Sequence, residues 1–478
     1  MNGVIAAGNP HTAEAAAHVL RDGGNAVDAA VAGALAAFVA EPLLASAGGA
    51  GMLTLALAGR PPAVVDFFAA APRARADFEH LDFEGVEVDF GSATQVFHIG
   101  RAAAAAPTAL PGLAEAARRF GTQPLDALVA PAAQMAREGV PLTRESVEVI
   151  RLLWPIVERD APTRALLAPQ GRPPAPESIH RNPELAATLT EYGRLGRMPD
   201  RMRAELLRAF GTERGGLLSQ DDLEATAPRV VEPHRIDLAP WQVMTSPRVG
   251  GRLVSVILEQ LGAKPPEPRA ADEAVRLARA SLAGHRARDA PVVPGSTTHV
   301  SAIDGSGGVA AVTLTNGEGC GHLIPGTGVH MNNLLGEEDL NPGGFHRHAP
   351  GARLPTMIAP TVALRNGEPV LALGSGGANR IRSAVSQVLY RATRLGWSLE
   401  DAVLAPRVHA EDDTVWLELA GVNEPDAAVA ALEHEFSRVY PFPDRAFFFG
   451  GVHAVERAED GSLHAAGDPR RGGTIAHP

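Results

Sequence analysis

The stretch of sequence that decides the fold runs from Thr297 to Thr315 and reads TTHVSAIDGSGGVAAVTLT. Its first part alternates as a β-strand does up to Ile303, the residues DGSGG are typical of a tight turn, and a second strand is predicted from Val309. A hairpin centred on this turn pairs residues whose numbers sum to about 613. We therefore expect Thr297 to lie opposite Thr315 or Asn316 in an antiparallel pair.

The predicted hairpin gathers hydroxyl groups at one end of two paired strands. Thr313 shares a face with Thr315, two residues away on the second strand. Threonine favours strands, and cross-strand threonine pairs are common structural elements, so the spacing alone favours a structural role. A catalytic role has to be supported by the rest of the chain.

The chain around the hairpin reads as rich in helices before residue 296 and rich in strands after it. Apolar spacing and glycine or proline punctuation predict a helix from His11 to Leu20, a buried helix from Asn25 to about Ala40, strands Met52–Leu57 and Ala63–Phe68, a proline-rich surface loop Ala161–Glu177, and a helix from about Arg382 to Leu395. This last helix follows the glycine cluster Gly374-Ser375-Gly376-Gly377.

The composition favours a soluble globular protein. Of 478 residues 45% are hydrophobic and 21% are charged, with a formal net charge of −12. A negative chain without a basic run is not expected to bind nucleic acid or an anionic membrane. The single cysteine, Cys320, excludes a disulfide framework, and no signal peptide or membrane helix is visible, so we expect a cytoplasmic location.

Short motifs from residue 23 to residue 470 carry a resemblance to a known family. They are GGNAVDAA at 23–30, PAAQMAREG at 131–139, GGL at 215–217, TTH at 297–299, PGTG at 325–328, NN at 332–333, APT at 359–361, GSGG at 374–377, RI at 380–381, APRVH at 405–409 and DPR at 468–470. In this order they resemble the γ-glutamyltransferase (γ-glutamyltranspeptidase) family of N-terminal nucleophile hydrolases. Each motif is short, and the resemblance rests on their common order.

The resemblance implies an α+β fold, an αββα four-layer sandwich, made as one precursor that cuts itself between Ser296 and Thr297. Residues 1–296 would form a large subunit and residues 297–478 a small one, the two remaining associated as one composite domain, and a homodimer is compatible with this arrangement. Thr297 would be the nucleophile. A threonine hydroxyl needs a nearby base, and a free α-amine with a pKa of about 7.7–8 can take its proton. No cofactor is implied.

The resemblance also assigns residues around the nucleophile. Thr315 matches a second threonine that hydrogen-bonds the nucleophile in the family. There, the oxyanion is held by backbone N–H groups of a glycine pair, which here are those of Gly376 and Gly377 or, with a different one-residue gap, of Gly377 and Ala378. Main-chain donors serve in either case. A plain strand-to-helix turn is the alternative interpretation of this cluster.

The residues that recognise a glutamyl group in the family are not kept here. The family's arginine for the α-carboxylate falls at Phe68, and burying a carboxylate against phenylalanine would be unfavourable. Leu334 replaces an amide, and Glu337 takes the position of the acid that meets the α-ammonium. The family's remaining contact positions fall at Pro355, Thr356 and either Asn316 or Gly317.

Together these features predict an amidohydrolase or acyltransferase that works through an acyl-threonine intermediate on a small-molecule amide with a less charged acyl group. Arg248 and Arg252 are candidates for a replacement cation, although solvated surface arginines are the simpler interpretation. One alternative is a true γ-glutamyltransferase or glutathione hydrolase with a rebuilt pocket. The other is an uncleaved, catalytically silent homologue that acts as a binding protein.

Two further groups of residues favour simple roles. His346 and His348 form an HxH loop, but nothing in the sequence supplies a partner that would orient their imidazoles, and we expect no metal site. Cys320, between two glycines, has no pairing that would make it a nucleophile, so a buried structural thiol is expected.

Overall fold

The structure, a computed structural model, describes residues 3–73, 80–89, 94–262, 270–288 and 297–478. Ser296, on one side of the predicted cleavage point, lies outside the described residues.

In chain order the strands of the described residues are β1 (Gly3–Ala7), β2 (Ala50–Ala56), β3 (Ala63–Phe67), β4 (Glu84–Asp89), β5 (Thr94–Ile99), β6 (Val140–Pro141), β7 (Ile179–His180), β8 (Arg229–Val231), β9 (His234–Leu238), β10 (Trp241–Thr245), β11 (Thr297–Asp304), β12 (Val309–Thr315), β13 (Leu323–Ile324), β14 (Val329–His330), β15 (Thr361–Arg365), β16 (Glu368–Gly376), β17 (Val408–Glu411), β18 (Thr414–Glu418), β19 (Arg438–Phe442), β20 (Gly451–Arg457), β21 (Leu463–Ala466) and β22 (Thr474–Ala476).

The α-helices of the same residues alternate with these strands. They are α1 (Pro10–Arg21), α2 (Ala26–Ala40), α3 (Ala109–Phe120), α4 (Leu125–Glu138), α5 (Arg144–Leu152), α6 (Trp154–Val157), α7 (Ala161–Leu167), α8 (Pro183–Leu195), α9 (Asp200–Phe210), α10 (Gln220–Ala225), α11 (Val249–Leu261), α12 (Ala270–Arg286), α13 (Arg380–Arg394), α14 (Leu399–Leu404) and α15 (Pro425–Glu433). No helix in these parts of the chain is long and apolar enough to cross a membrane.

Two large sheets lie face to face between layers of helices. The first has the strand order β22-β1-β11-β12-β2-β3-β8, and the second has the order β21-β20-β16-β15-β10-β9. β11 and β12 contact β16 across the interface, α1 and α2 cover the outer side of the first sheet, and α11 and α13 cover the second. The predicted αββα sandwich is therefore confirmed.

Each sheet contains strands from both sides of residue 296. In the first sheet β11 and β12 lie between β1 and β2, and in the second β15 pairs with β10. The change in sequence character at residue 296 therefore does not separate two folding units. Of the strands that the first part contributes to the two sheets, the sequence predicted β2 and β3 but not β1, β8, β9 and β10.

Helix α2 supports the strand that begins at Thr297. Its N-terminus is closed by a capping box, in which the Asn25 side chain accepts from the Asp28 N–H and the Asp28 carboxylate accepts from the Asn25 N–H. Within the helix, a Cβ on Gly33 would come within 3.1 Å of Val300 on β11. The glycine lets α2 lie directly against β11 and fix its position.

Most local predictions agree with the structure, and one does not. The first two helices and the hairpin are confirmed, as is the helix after the glycine cluster. The predicted loop Ala161–Glu177 begins instead with the helix α7, because Asp160 caps it by accepting from the Thr163 N–H at 3.1 Å. Proline at the second position of this helix is compatible with its first turn.

Candidate active site

The hairpin brings Thr297 and Thr315 side by side. In the antiparallel pair of β11 and β12, Thr297 lies opposite Thr315, and His299 lies opposite Thr313. Directly opposed residues point to the same face with Cβ atoms about 4.5–5.5 Å apart. Of the two predicted registers, the structure has the one with Thr315, whose Oγ1 accepts from the N–H of Gly317 at 3.0 Å.

Glycines in β16 allow the second sheet to approach Thr297. A Cβ on Gly374 would collide with the ring of His299, and a Cβ on Gly376 would collide with the main-chain oxygen of Thr297. Any larger residue at either position would push the sheets apart. The end of β16 therefore lies directly against the first residue of β11.

His299 is not available as a base for Thr297. Its Nδ1 lies 2.8 Å from Thr313 Oγ1, and its Nε2 lies 2.9 Å from Ser301 Oγ. Burial, with a smaller effect of the nearby His453, holds the pKa of His299 well below its usual value. A neutral ring with both nitrogens engaged by side chains of its own sheet leaves proton transfer to other groups.

The turn between β16 and α13 presents two main-chain donors. Gly377 has a φ of 118° and Ala378 a φ of 48°. Their N–H groups donate to no atom of the described residues. Ser375 Oγ donates to the Gly376 carbonyl at 2.6 Å, and since the peptide group is planar this bond also orients the Gly377 N–H.

A small cavity lies beside Thr297. Its volume is about 20 Å³, enough for one water molecule. The cavity is lined by Phe68, Thr297, Thr315, Leu334, Glu337, Asp339, Leu340, Thr356, Met357, Ile358, Ala378 and Ile381. It is therefore mostly apolar, with three threonines and two carboxylic acids on its wall.

Most of the predicted substrate-binding residues meet at this cavity. Phe68, Leu334, Glu337 and Thr356 line it. The structure does not bring Pro355 or Asn316 to its wall. Asn316 is buried with its Nδ2 3.4 Å from both His330 Nδ1 and the Met331 carbonyl, and Pro355 is only half-buried. Gly376 and Gly377 do not line the cavity, although Gly376 lies against the main-chain oxygen of Thr297.

The wall formed by Phe68 receives no cationic side chain from the described parts of the chain. Asp66 accepts from the Phe68 N–H at 3.0 Å and forms an ion pair with Arg248 at 2.9 Å. Arg353 donates to the Phe68 carbonyl, and Arg252 is exposed. Arg248 thus binds Asp66 on the strand β3 and does not line the cavity. Among the described residues no arginine, lysine or histidine lines the cavity.

Two acids contribute the charge of the cavity. Burial, followed by Glu318 and Asp339, raises the pKa of Glu337 well above its usual value. Burial also raises the pKa of Asp339 to about 6, against the opposing effect of Arg288 and Arg380. Two carboxyl groups this deeply buried favour holding a proton between them.

The cysteine and the two loop histidines that the sequence analysis considered have structural roles. Cys320 is buried, and burial raises the pKa of its thiol to about 12, so it is not an activated nucleophile. His346 and His348 bond the main-chain oxygens of Ala102 and Leu340 at 3.0 and 2.8 Å. The described part of the chain holds no group of three acids, histidines or cysteines arranged for a metal ion, and the absence of a metal site stays a prediction.

Comparison with known proteins decides the family. The sequence profile of gamma-glutamyltranspeptidase matches residues 12–274 and 263–477. The chain belongs to this family. It is 31% identical over 534 aligned positions to the acylase ACY 1 proenzyme of Pseudomonas sp. strain SE83, covering 99% of this chain and 93% of that protein. It is 28% identical to the glutathione hydrolase proenzyme of Pseudomonas aeruginosa, covering 98% of this chain and 93% of that protein.

A solved structure supports the same architecture. The cephalosporin acylase from Bacillus halodurans matches with a TM-score of 0.85 and 24% identity, covering 100% of this chain and 96% of that chain. At this identity the likeness concerns the fold. As a member of the gamma-glutamyltranspeptidase family, the chain is an enzyme of the N-terminal nucleophile class, which comprises hydrolases and transferases.

Sequence reasoning missed half of the cavity wall. The residues not predicted are Asp339, Leu340, Met357, Ile358 and Ile381, together with Ala378 as a wall residue. Ile381 follows the glycine cluster by a few residues and could have been found from that spacing. The others lie in segments with little regular structure, where no periodicity indicates which side chains turn inward.

Proposed function

We propose that the chain is a self-cleaving threonine amidohydrolase that releases an acyl group from a small-molecule amide, the acyl group lacking the α-carboxylate of a γ-glutamyl donor. The observation that carries this proposal is the placement of Thr297, the first residue of β11, opposite Thr315 at a cavity that no basic side chain of the described residues lines. The names of the two relatives, an acylase proenzyme and a glutathione hydrolase proenzyme, are consistent with amide chemistry on a precursor.

Cleavage before Thr297 would create the base that the site otherwise lacks. In the unbroken chain the nitrogen of Thr297 is an amide and cannot accept a proton. After cleavage it becomes an α-amine with a pKa of about 7.7–8, close enough to neutral pH to take a proton from its own hydroxyl. The engaged ring of His299 supports this assignment, since that histidine has no free nitrogen.

The oxyanion would be held by the N–H groups of Gly377 and Ala378. Both donors are unoccupied by the described residues, and Ala378 lines the cavity with Thr297. This favours the second of the two pairs that the sequence left open, with Gly376 providing the close approach to Thr297. Removing one such donor typically slows catalysis about 10²–10³-fold.

The proposed reaction conserves atoms and protons at each step. Thr297 Oγ1 attacks the amide carbon while its proton passes to the α-amine. The C–N bond breaks, the leaving amine takes that proton, and the acyl group remains on the threonine as an ester. Water attacks the ester and gives a proton to the same amine; the C–O bond to Thr297 then breaks, Oγ1 takes that proton back from the amine, and the acid is released. An amine in place of water gives transfer.

Phe68 and Leu334 argue against a standard glutamyl donor. Both side chains are at most 1% exposed and line the cavity that would receive the acyl group. A carboxylate placed against them would lose its hydration without gaining a cation. An acyl chain with apolar methylenes fits this wall instead.

The nucleophile is tested by Thr297→Ala and Thr297→Ser, with Thr298→Ser as the matched control on the next residue. We expect Thr297→Ala to remain a single chain and to lose p-nitroaniline release from acyl p-nitroanilides by about 10³-fold or more. Thr297→Ser keeps a hydroxyl and an α-amine and should retain both properties, as should the control. A Thr297→Ala variant that is cleaved and active would overturn the proposal.

A further inference from the structure

Arg471 is a buried arginine without a partner. It is 7% exposed and lies at the end of the short turn Pro469–Arg471. Its Nε and Nη1 have no hydrogen-bond partner among the described residues, and none of their acids forms an ion pair with it. A buried charge without compensation is unfavourable, so its presence in a native fold calls for an explanation.

The other buried arginines of the described chain have partners. Those that form an ion pair are Arg288, Arg382, Arg391, Arg407 and Arg470. Arg380 donates instead to the Phe448 carbonyl at 3.0 Å. Asp468, the acid nearest to Arg471 in sequence, is already bound by Arg407 and Arg470. The positive charge of Arg471 is therefore the one that these side chains leave unpaired.

Three contacts fix the guanidinium of this arginine beside the turn that follows β16. Its methylenes lie against Gly451, where a Cβ would come within 2.6 Å of them, and its guanidinium carbon lies 3.6 Å from the centre of the Phe447 ring. Nη1 and Nη2 each lie 3.4 Å from the position that a Cβ would take on Gly376 and on Gly377, respectively. The same Cβ on Gly376 would touch the main-chain oxygen of Thr297. The unpaired charge thus lies next to the Gly377 donor and to the first residue of β11.

The surroundings of the turn keep it at a positive potential. Burial, followed by Arg380, lowers the pKa of Arg471 to about 9 against the opposing effect of Asp468, so the guanidinium is charged at neutral pH. Helix α13, which is 15 residues long, begins directly after the turn and directs the positive end of its dipole towards it. The first turn of this helix contains no acid.

We propose that Arg471, by its unpaired charge, stabilises the oxyanion that forms at the N–H groups of Gly377 and Ala378. This rests on the proposed function, in which these two donors hold the oxyanion. In a buried site a fixed positive charge strongly stabilises a developing negative charge, because water screens it little and no group has to reorient. An acid paired with Arg471 would cancel this effect. Arg471 does not line the cavity and touches no reacting atom, so it acts through its charge alone.

A charge with this role stabilises the transition state at the expense of the folded state. Replacing an unpaired buried cation by an apolar side chain of similar length removes the cost of its desolvation and should make the fold more stable. The same replacement removes the positive potential at the turn and should slow the reaction. The loss of an arginine with a purely structural role would instead lower the stability.

The test compares Arg471→Met with Arg471→Lys, which keeps the charge. The p-nitroanilides of acetyl, valeryl, glutaryl and γ-glutamyl groups are offered to the cleaved wild-type enzyme, and the one hydrolysed fastest is the preferred anilide. We expect Arg471→Met to lower kcat about tenfold or more, to leave KM within about twofold and to raise the midpoint of urea unfolding. Arg471→Lys should keep kcat within about threefold of the wild type, since no fork of hydrogen bonds is lost. Intact mass confirms that each variant is cleaved before its rates are compared.

Arg391→Met is the matched control. Arg391 is 2% exposed, and its Nε and Nη1 also lack hydrogen-bond partners. It differs from Arg471 because it is paired with Glu273 at 3.6 Å and lies on α13 about 16 Å along the helix from Arg380. Its replacement should lower the midpoint of urea unfolding and leave kcat unchanged, the opposite of Arg471→Met in both measurements.

The outcomes separate this inference from the proposed function. A wild-type enzyme that hydrolyses none of the four anilides contradicts the proposed function itself. With an active wild type, the inference alone is wrong if Arg471→Met keeps the wild-type kcat, raises KM at unchanged kcat, is less stable than the wild type, fails to fold or stays uncut. It is also wrong if Arg471→Lys loses as much activity as Arg471→Met. The amidohydrolase stands in each of these cases.

Discussion

Ser375 shows how one side chain can act on catalysis through the main chain. It is 1% exposed, donates to the Gly376 carbonyl at 2.6 Å and accepts from the Gly451 N–H at 3.1 Å. It therefore fixes the peptide plane that carries the Gly377 N–H, one of the two proposed oxyanion donors. Its role is to position that donor, since it does not line the cavity.

Replacing Ser375 by alanine is expected to lower kcat about tenfold and to leave KM within about twofold. A misdirected N–H donor stabilises the oxyanion of the transition state less well, whereas it changes the binding of the substrate little. Steady-state rates with the preferred anilide measure this split. Ser386→Ala, a buried serine within α13, is the control and should change neither constant. A rise in KM at unchanged kcat would show that Ser375 does not orient the oxyanion donor.

Among the elements of the fold, His322 joins three segments of the chain. Its Nδ1 lies 3.1 Å from Asp160, the cap of α7, and its Nε2 lies 3.5 Å from Asp82, just before β4. Burial lowers the pKa of His322, but the hydrogen bonds to Asp160 and Asp82 outweigh it and raise the pKa above its usual value. Burial raises the pKa of Asp82, but His322 and two hydrogen bonds from Arg101 outweigh it and lower the pKa to about 2.

This cluster should make stability depend on pH in a defined direction. Because the folded pKa of His322 is raised, its contribution is complete below about pH 6.5 and is lost as pH rises through the folded value. We expect His322→Asn to remove about 1 kcal/mol of stability at pH 6 and much less at pH 8.5. Urea unfolding at both pH values measures this, with the exposed His18→Asn as control. An equal loss at both pH values would contradict a stabilising interaction of protonated His322 with Asp160 and Asp82.

Helices and strands could be predicted where a short sequence motif determines where they begin or how they pair. Asn25 with Asp28 fixes the start of α2, and the DGSGG turn fixes the register that opposes Thr297 to Thr315. The cavity wall was predictable only in part, because residues such as Met357 and Leu340 come from irregular segments and are placed by tertiary packing. Helix α7 was not predicted, because the prolines of its segment are typical of a loop. Asp160 at its start is nevertheless a recognisable cap.

At the scale of the whole molecule, the two predicted subunits share both sheets. β11 and β12, which follow residue 296, are inserted between β1 and β2, which precede it. Cleavage before Thr297 would therefore leave the hydrogen bonds of the sheets intact, and we expect the two pieces to remain associated. The homodimer and the cytoplasmic location stay predictions.

The intact mass of freshly purified protein under denaturing conditions shows whether the chain cuts itself before Thr297. We expect the 49.8 kDa chain to separate into pieces of about 31 and 19 kDa, in proportion to residues 1–296 and 297–478. Thr297→Ala should give the single mass of the whole chain. A wild-type protein that stays at 49.8 kDa would lack the α-amine and would contradict the account.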